Sequence, residues 1–332
     1  MTSGRVTNSS KSFPRLGSGA RNGGENNVPE PLVARLYLPK DVRNGILAGE
    51  RVFYTKLLSV LERAGFRVDL HSDSVHEVIK ARRRRGHSVF LMQEPVNRYG
   101  VTIRQNYFYP FWNIQECAKR WNWPVAKAVF HPDSLSAQEA STFFHYWRGR
   151  IFGPTAEHTT RSGFVLVPLQ GKLFAQRSFQ ECSPLHMLEY VLAYDQERKV
   201  IATLHPKETY SKRELGALDT LRNRNKRLSF GTKSTETYLR ACDYIVTENS
   251  SVALSGFFFR KPATLFGRID FHHIAANVRT LGVETALESA PRLEPEYEKY
   301  LWWFFRHMSI NVQSPDAEQR IRTALREAGW PI

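Results

Sequence analysis

Val200-Ile-Ala-Thr-Leu-His-Pro-Lys207 opens a stretch that continues through Tyr244-Ile-Val-Thr-Glu-Asn-Ser-Ser-Val252 and ends in Ala263-Thr-Leu-Phe-Gly-Arg-Ile-Asp-Phe-His-His273. Each apolar run has strand length, and each ends in a polar or turn-forming cluster. Val252 to Phe259 has the pattern of a helix between two of the strands. Strands that alternate with helices build an open parallel sheet. In such a sheet the ligand crevice lies beyond the carboxyl ends of the strands. The clusters His205-Pro206-Lys207, Asn249-Ser250-Ser251 and Asp270-Phe271-His272-His273 all fall at those ends. This places an anionic, nucleotide-type ligand at the top of the second half of the chain.

The same pattern extends outward. Phe164 to Leu169 is an apolar strand ending in Gln170-Gly171-Lys172. Ser183-Pro184 then gives an N-cap and a first-turn proline, so a helix follows to about Tyr194. In the first half, Ala34 to Leu38 is a strand. Phe53, Leu57, Val60, Leu61 and Ala64 recur at helical spacing, Gly65 stops the helix, and Phe66 to Leu70 is the next strand. Strand Ser88 to Met92 ends in Gln93-Glu94-Pro95. The aromatic Tyr107–Trp112 stretch is expected to lead into a helix through Trp121. Glu294 to Gly329 is expected to be helical. His145 to Gly163 is mixed and polar, and the boundary between the halves is expected there.

The whole chain has 332 residues, enough for two cores. Its 42% hydrophobic and 24% charged composition is globular. No apolar run approaches the roughly 20 residues of a membrane-spanning helix. Residues 1–30 are rich in Ser, Asn, Gly and Arg without apolar periodicity, so a disordered basic tail is expected there. They lack the apolar segment of a secretory signal. Cys117, Cys182 and Cys242 show no pairing or metal spacing, which fits a reducing cytoplasm. The net charge of +15 attracts polyanions: nucleic acid, anionic lipid, sugar nucleotides or acidic glycans.

Each cluster also has a plainer reading. Asn249-Ser250-Ser251 offers free N–H groups and hydroxyls to a phosphate at a helix start, yet Ser and Asn cap helices everywhere. His205 can donate to a phosphate oxygen and Lys207 adds a charge, yet His-Pro is a common turn. Together the two clusters face one crevice, which is more specific than either alone. Gln170 opens the cleft from a neighbouring strand, or is part of a surface turn. Glu94 would face the phosphate site across the cleft, as the carboxylate that takes an acceptor proton in glycosyl transfer, or is an ordinary loop glutamate. Asp270, His272 and His273 lack the spacing of a metal site. Contacts to substrate are expected of them instead. Arg82 to Arg85, Arg98 and Arg104, with Tyr107, Phe108 and Tyr109, suit nucleic-acid stacking or an acidic surface. No nucleic-acid-binding motif accompanies them.

Phe164-Val-Leu-Val-Pro-Leu-Gln170, Leu204-His-Pro-Lys207, Thr247-Glu-Asn-Ser-Ser-Val252 and Lys261-Pro-Ala-Thr-Leu-Phe-Gly267 resemble the capsule polysaccharide synthesis and export family of Gram-negative bacteria. The likeness covers roughly Phe164 to His273. It implies an α/β protein of two Rossmann-like domains, GT-B type, with a C-terminal crossover helix. The expected domains are residues 31–155, an acceptor-side domain; residues 156–290, a nucleotide-sugar domain; and residues 291–332, helices packing across both. The resemblance implies transfer of Kdo from CMP-Kdo to a glycolipid or glycan, with no metal and no cofactor beyond the CMP-sugar donor. His205 and Pro206 match the family's phosphate-binding His-Pro motif, with Lys207 next to it. Ser250 and Ser251, after Asn249, match its serine pair, and Gln170 matches its glutamine. The family's N-domain acid has no secure counterpart here, and Glu94 is the candidate. The expected partners are the nucleotide sugar, an anionic glycolipid or polysaccharide acceptor and a capsule assembly complex, with no nucleic acid. The expected location is cytoplasmic, at the inner membrane. Two other readings stay open: a non-catalytic capsule assembly or export factor, and a nucleic-acid-binding protein.

Overall fold

The computed structural model describes residues 32–332. The basic tail expected over residues 1–30 lies outside the described residues. The first half contributes strands β1 (Val33–Leu38), β2 (Arg67–Ser72), β3 (His87–Leu91), β4 (Gly100–Gln105) and β5 (Phe111–Gln115). The second half contributes β6 (Phe164–Pro168), β7 (Lys199–Thr203), β8 (Leu228–Phe230), β9 (Tyr244–Thr247), β10 (Ala263–Leu265) and β11 (Ala276–Asn277). A short strand near the C-terminus, β12 (Ile310–Asn311), joins the first sheet.

The sheet orders are β12-β5-β4-β3-β1-β2 and β11-β10-β9-β6-β7-β8. All pairings of the second sheet are parallel. In the first, β1 to β4 are parallel, while β5 and β12 run antiparallel at one edge. The second sheet begins in its middle, at β6. The chain then moves outward to β7 and β8, returns past β6 to β9, and moves outward again. The strand order therefore reverses between β6 and β9, and a crevice opens at that point.

The two sheets are one compact unit with the rest of Leu32–Ile332. An aromatic core joins the halves: Phe111 from β5, Phe144 and Trp147 from the Ala137–Phe152 helix, Phe258, and Phe304 and Phe305 from the C-terminal segment. The chain then returns to the first half. The Ala317–Glu327 helix buries Ala317, Ile321 and Leu325 in the same core as Leu57 and Leu61 of the Val52–Arg63 helix. Arg63 and Glu318 also pair at 3.0 Å, an exposed contact that contributes little. This is the crossover helix.

One local expectation is corrected. Tyr107 to Trp121 holds no helix beyond the turn Arg120–Asn122; instead Phe111–Gln115 is a strand. Its Phe111 joins the core between the halves, while Trp112 and Ile114 join the core beneath the crossover helix. Both faces of this strand are covered, and buried Asn113 stands among its apolar residues, so no clean alternation shows. The polar His145–Gly163 segment is helical to Phe152, with Trp147 buried. The basic segment after His205 is a helix, Lys212–Arg224, opened by a capping box between Ser211 and Glu214. Only Leu218 of that helix is buried, so its apolar signal was faint. Glu294 to Gly329 is helical in pieces, interrupted by β12. No helix of the described residues is long and apolar enough to cross a membrane.

Candidate active site

The carboxyl ends of β7, β6 and β9 lie side by side. Between β6 and β9, Gln170 bridges the crevice. Its Nε2 donates to Asn249 Oδ1 at 2.8 Å, and its Oε1 accepts from Arg177 Nη2 at 2.9 Å. Arg177 is fixed in turn, because its backbone N–H and its Nε donate to Gln180 Oε1 at 2.7 and 3.3 Å. Gln170 thus ties the two loops together at the point where the strand order reverses.

Ser250 caps the Ser251–Phe258 helix, its Oγ accepting the Val252 N–H at 3.3 Å. Ser251 is exposed at the first position of the helix, where free N–H groups and the dipole favour an anion. The helix approaches the sheet closely at Gly256, where a Cβ would stand 2.1 Å from Ile245 Cδ1. A larger residue there would push the Ile245 side chain aside.

At the end of β7, His205, Pro206 and Lys207 are exposed. The His205 N–H donates to Tyr210 Oη at 2.9 Å. The Lys207 N–H donates to His205 Nδ1 at 3.2 Å. An Nδ1 that accepts leaves the ring proton of the neutral imidazole on Nε2, as an outward donor. Glu208 lies across Gly171, where a Cβ would meet its Oε2 at 2.2 Å, so the β6 and β7 loops touch. Histidine, serines and the helix start therefore share one edge of the sheet, with Gln170 between them.

Glu248, directly before Asn249, is fully buried, and neither of its carboxyl oxygens has a hydrogen-bond partner. Gln180 is near enough to favour the charged form weakly, but is not in hydrogen-bonding geometry. Burial pushes the Glu248 carboxyl up to about 8, partly opposed by Arg177. Folded, the group keeps its proton to about pH 8; free, it loses it near 4.5. The stability it contributes is therefore complete below pH 4.5 and is lost as the pH rises towards 8. Glu248→Gln is expected to melt higher than the parent at pH 8, by about 1–3 kcal/mol. The gap should close towards pH 4.5 in melts run across that range. Equal melting at both ends would mean that the carboxyl is solvated.

Glu94 is exposed after β3, and its Oε2 accepts the Ala118 N–H at 2.9 Å. The strip that begins at Ala118 reaches the second half: the Trp121 ring lies 5.7 Å from Phe179 and 5.0 Å beneath the Arg268 guanidinium. Glu94 thus braces, from the first half, the strip that carries Trp121 to the seam. No hydrogen bond among the described residues joins it to His205 or Ser250.

The Asp270–His273 cluster lies at the seam between the halves. Asp270 is fully buried and accepts from the Tyr107 hydroxyl. His272 Nε2 bonds the Ala126 carbonyl at 2.9 Å, and His273 Nε2 the Ala128 carbonyl at 3.1 Å. His273 Nδ1 lies 3.1 Å from Tyr300 Oη. These side chains fasten the two halves together, and His272 also borders a cavity beside Trp121 and Arg268. Burial, reinforced by His272, lowers His273 to about 4. No cluster among the described residues could hold a metal ion. The basic aromatic surface is not assembled either: Tyr107 and Phe108 pack into the core between the halves, and Arg84 pairs with Glu77 at 3.0 Å.

Arg177, Tyr210 and Glu248 were not foreseen as part of the site. Arg177 carries no spacing signal within its loop. The position of Glu248 in Thr247-Glu-Asn-Ser-Ser was visible in the sequence, but its burial was not.

KpsC from Thermosulfurimonas dismutans, a beta Kdo 2,7 transferase, superposes with a TM-score of 0.50 at 11% identity, over 89% of this chain and 99% of that one. The fold is GT-B. The wall teichoic acid polymerase TagF (H548A) gives a TM-score of 0.32 at 10% identity, over 79% of this chain and 77% of that one. Only the first likeness bears on the fold, and at this identity it shows the fold alone. No protein-family model and no curated protein sequence matches this GT-B chain.

Proposed function

We propose that this GT-B protein is a cell-surface polysaccharide glycosyltransferase, which moves an acidic sugar, Kdo, from a CMP donor to an anionic glycan or glycolipid. One observation supports the reading: the histidine, the glutamine and the serine-capped helix start follow the neighbouring strands β7, β6 and β9 beside the switch point of the second sheet, with the glutamine bonded to Asn249. That is where an open α/β sheet binds a nucleotide.

In this reaction an acceptor hydroxyl oxygen attacks the anomeric carbon, and the bond from that carbon to the CMP phosphate oxygen breaks. The acceptor proton passes to Glu94. The phosphate leaves with CMP and is met by His205 Nε2–H, the Ser251 N–H and hydroxyl, and Lys207. Donors aimed at developing charge in a crevice commonly supply a large share of catalysis. The net charge of +15 would hold the enzyme against anionic lipid at the cytoplasmic face of a membrane, where it could join a capsule assembly complex.

The test is a melting curve with CMP, followed by single-turnover transfer from CMP-Kdo to a phosphoglycolipid. CMP at a hundredfold excess over Kd should stabilise the protein by about 2.7 kcal/mol. Stabilisation with no product from any of several acceptors would support a non-catalytic assembly factor instead. No stabilisation would remove the nucleotide from the account.

A further inference from the structure

Beside the nucleotide crevice lies a cavity that the proposed reaction does not yet use. Strand β10 is the neighbour of β9 in the second sheet. The loop after β10 packs against the end of β9: a Cβ on Gly267 would stand 3.0 Å from the Glu248 carbonyl oxygen. Ser250, the cap of the Ser251–Phe258 helix, follows Glu248 closely in the chain. The cavity runs from this loop to the seam. It has a volume of about 190 Å³ and is lined by Trp121 from the first half and by Gly267, Arg268, His272, Asn277 and Arg279 from the second, among others. That is below the roughly 300 Å³ of a drug-sized site and suits a single ring.

Each wall offers a different contact. The half-buried Trp121 presents an indole face, with the Arg268 guanidinium 5.0 Å from the ring centroid. Arg268 is held by neutral groups. Its backbone N–H donates to the Phe179 carbonyl at 2.8 Å and its Nη2 to the Ser178 carbonyl at 2.5 Å, while its Nε has no partner. No carboxylate pairs with it among the described residues. The lining holds no acid of its own, and Glu181, at 3.0 Å from Arg279, answers only one of the two arginines. The remaining polar groups are acceptors. His272 Nε2 gives its proton to the Ala126 carbonyl, which leaves Nδ1 of the neutral ring as an acceptor. The Asn277 Nδ2 donates to the carbonyls of His272 and Ala275 at 3.0 and 3.1 Å, so Oδ1 is the group left over.

We infer that this cavity is the subsite for an acidic sugar ring, with Arg268 as the residue that selects its carboxylate. The guanidinium takes the carboxylate, Trp121 covers the C–H face of the ring, and His272 Nδ1 and Asn277 Oδ1 accept its hydroxyls. An arginine without an acid partner calls for an anion. Acceptors without donors call for a hydroxylated one. The sugar is that of the donor, because it hangs directly on the phosphate assigned to the helix start, and neighbouring strands lie only about 4.8 Å apart. The inference rests on the glycosyltransferase reading and adds to it the residue that chooses the sugar.

The experiment is calorimetric titration of the full chain, without acceptor, with CMP, CMP-Kdo, free Kdo and the methyl ester of Kdo. CMP-Kdo should bind at least about tenfold more tightly than CMP, and free Kdo more tightly than its ester. Arg268→Gln should remove most of the gain of CMP-Kdo over CMP and leave CMP affinity unchanged; Arg268→Lys should keep part of the gain. A gain that survives in Arg268→Gln while the KM of a Kdo-terminated acceptor rises tenfold would keep the subsite and assign it to the acceptor. No gain in the parent, an ester that binds as well as the acid, or a gain and an acceptor KM both unchanged in Arg268→Gln overturns the inference. Should Arg268→Gln not fold, Arg268→Lys and the acid–ester comparison decide. If the parent binds free Kdo over its ester but does not bind CMP, the nucleotide reading falls and the subsite stands.

Discussion

His205→Ala is expected to lower transfer from the CMP donor by about 10²–10³-fold and to abolish the melting shift that CMP produces. The ring is exposed, and its Nδ1 only accepts the Lys207 N–H, so the unliganded protein should melt within about 0.5 kcal/mol of the parent. What disappears is the outward Nε2–H, the donor that meets the leaving phosphate. The Tyr210 hydroxyl still holds the backbone N–H of residue 205, so the turn itself survives. Glu94→Gln should behave oppositely: the CMP shift stays and turnover falls. Melting curves with CMP and a product assay separate the two. An unchanged CMP shift in His205→Ala would take the histidine out of the site.

Phe258→Ala should cost about 3–5 kcal/mol in denaturant melts. Phe258 is the last residue of the helix that starts at Ser251, and its side chain is fully buried. Its ring centroid lies 5.8 Å from Phe108, 5.9 Å from Phe144, 5.6 Å from Phe152 and 6.2 Å from Phe305. These rings come from the β4–β5 loop, the long helix of the first half and the C-terminal segment. Rings held by separate elements cannot all collapse into the void, so both transfer and cavity terms are lost. Tyr146→Ala, at a largely exposed position, is the control and should stay within about 0.5 kcal/mol. A loss below about 1 kcal/mol at Phe258 would mean that the core between the halves is loosely packed.

The second sheet was readable because its chemistry is punctuated. Val200–Leu204 ends in His-Pro, Tyr244–Thr247 ends in Asn-Ser-Ser, and both ends mark true strand termini. Hydrogen bonds between distant loops are not written in local spacing. Gln170 was picked out as a candidate contact, yet its bond to Asn249 needs both loops in place. His272 and His273 carry the same two kinds of ring nitrogen as a ligand-binding histidine. Only their carbonyl partners, Ala126 and Ala128, show that they fasten the halves. Phe111–Gln115 misled because both of its faces are covered, which erases the alternation a half-buried strand displays. Lys212–Arg224 carries a faint apolar pattern for the opposite reason, since only one of its residues is buried. Its Ser211–Glu214 capping box was the better signal.

The most direct test is a crystal structure of the complex with CMP. The account predicts the phosphoryl oxygens within hydrogen-bonding distance of both His205 Nε2 and the start of the Ser251–Phe258 helix. A phosphorus atom bound anywhere else on the protein, or held by only one of those two groups, would contradict it.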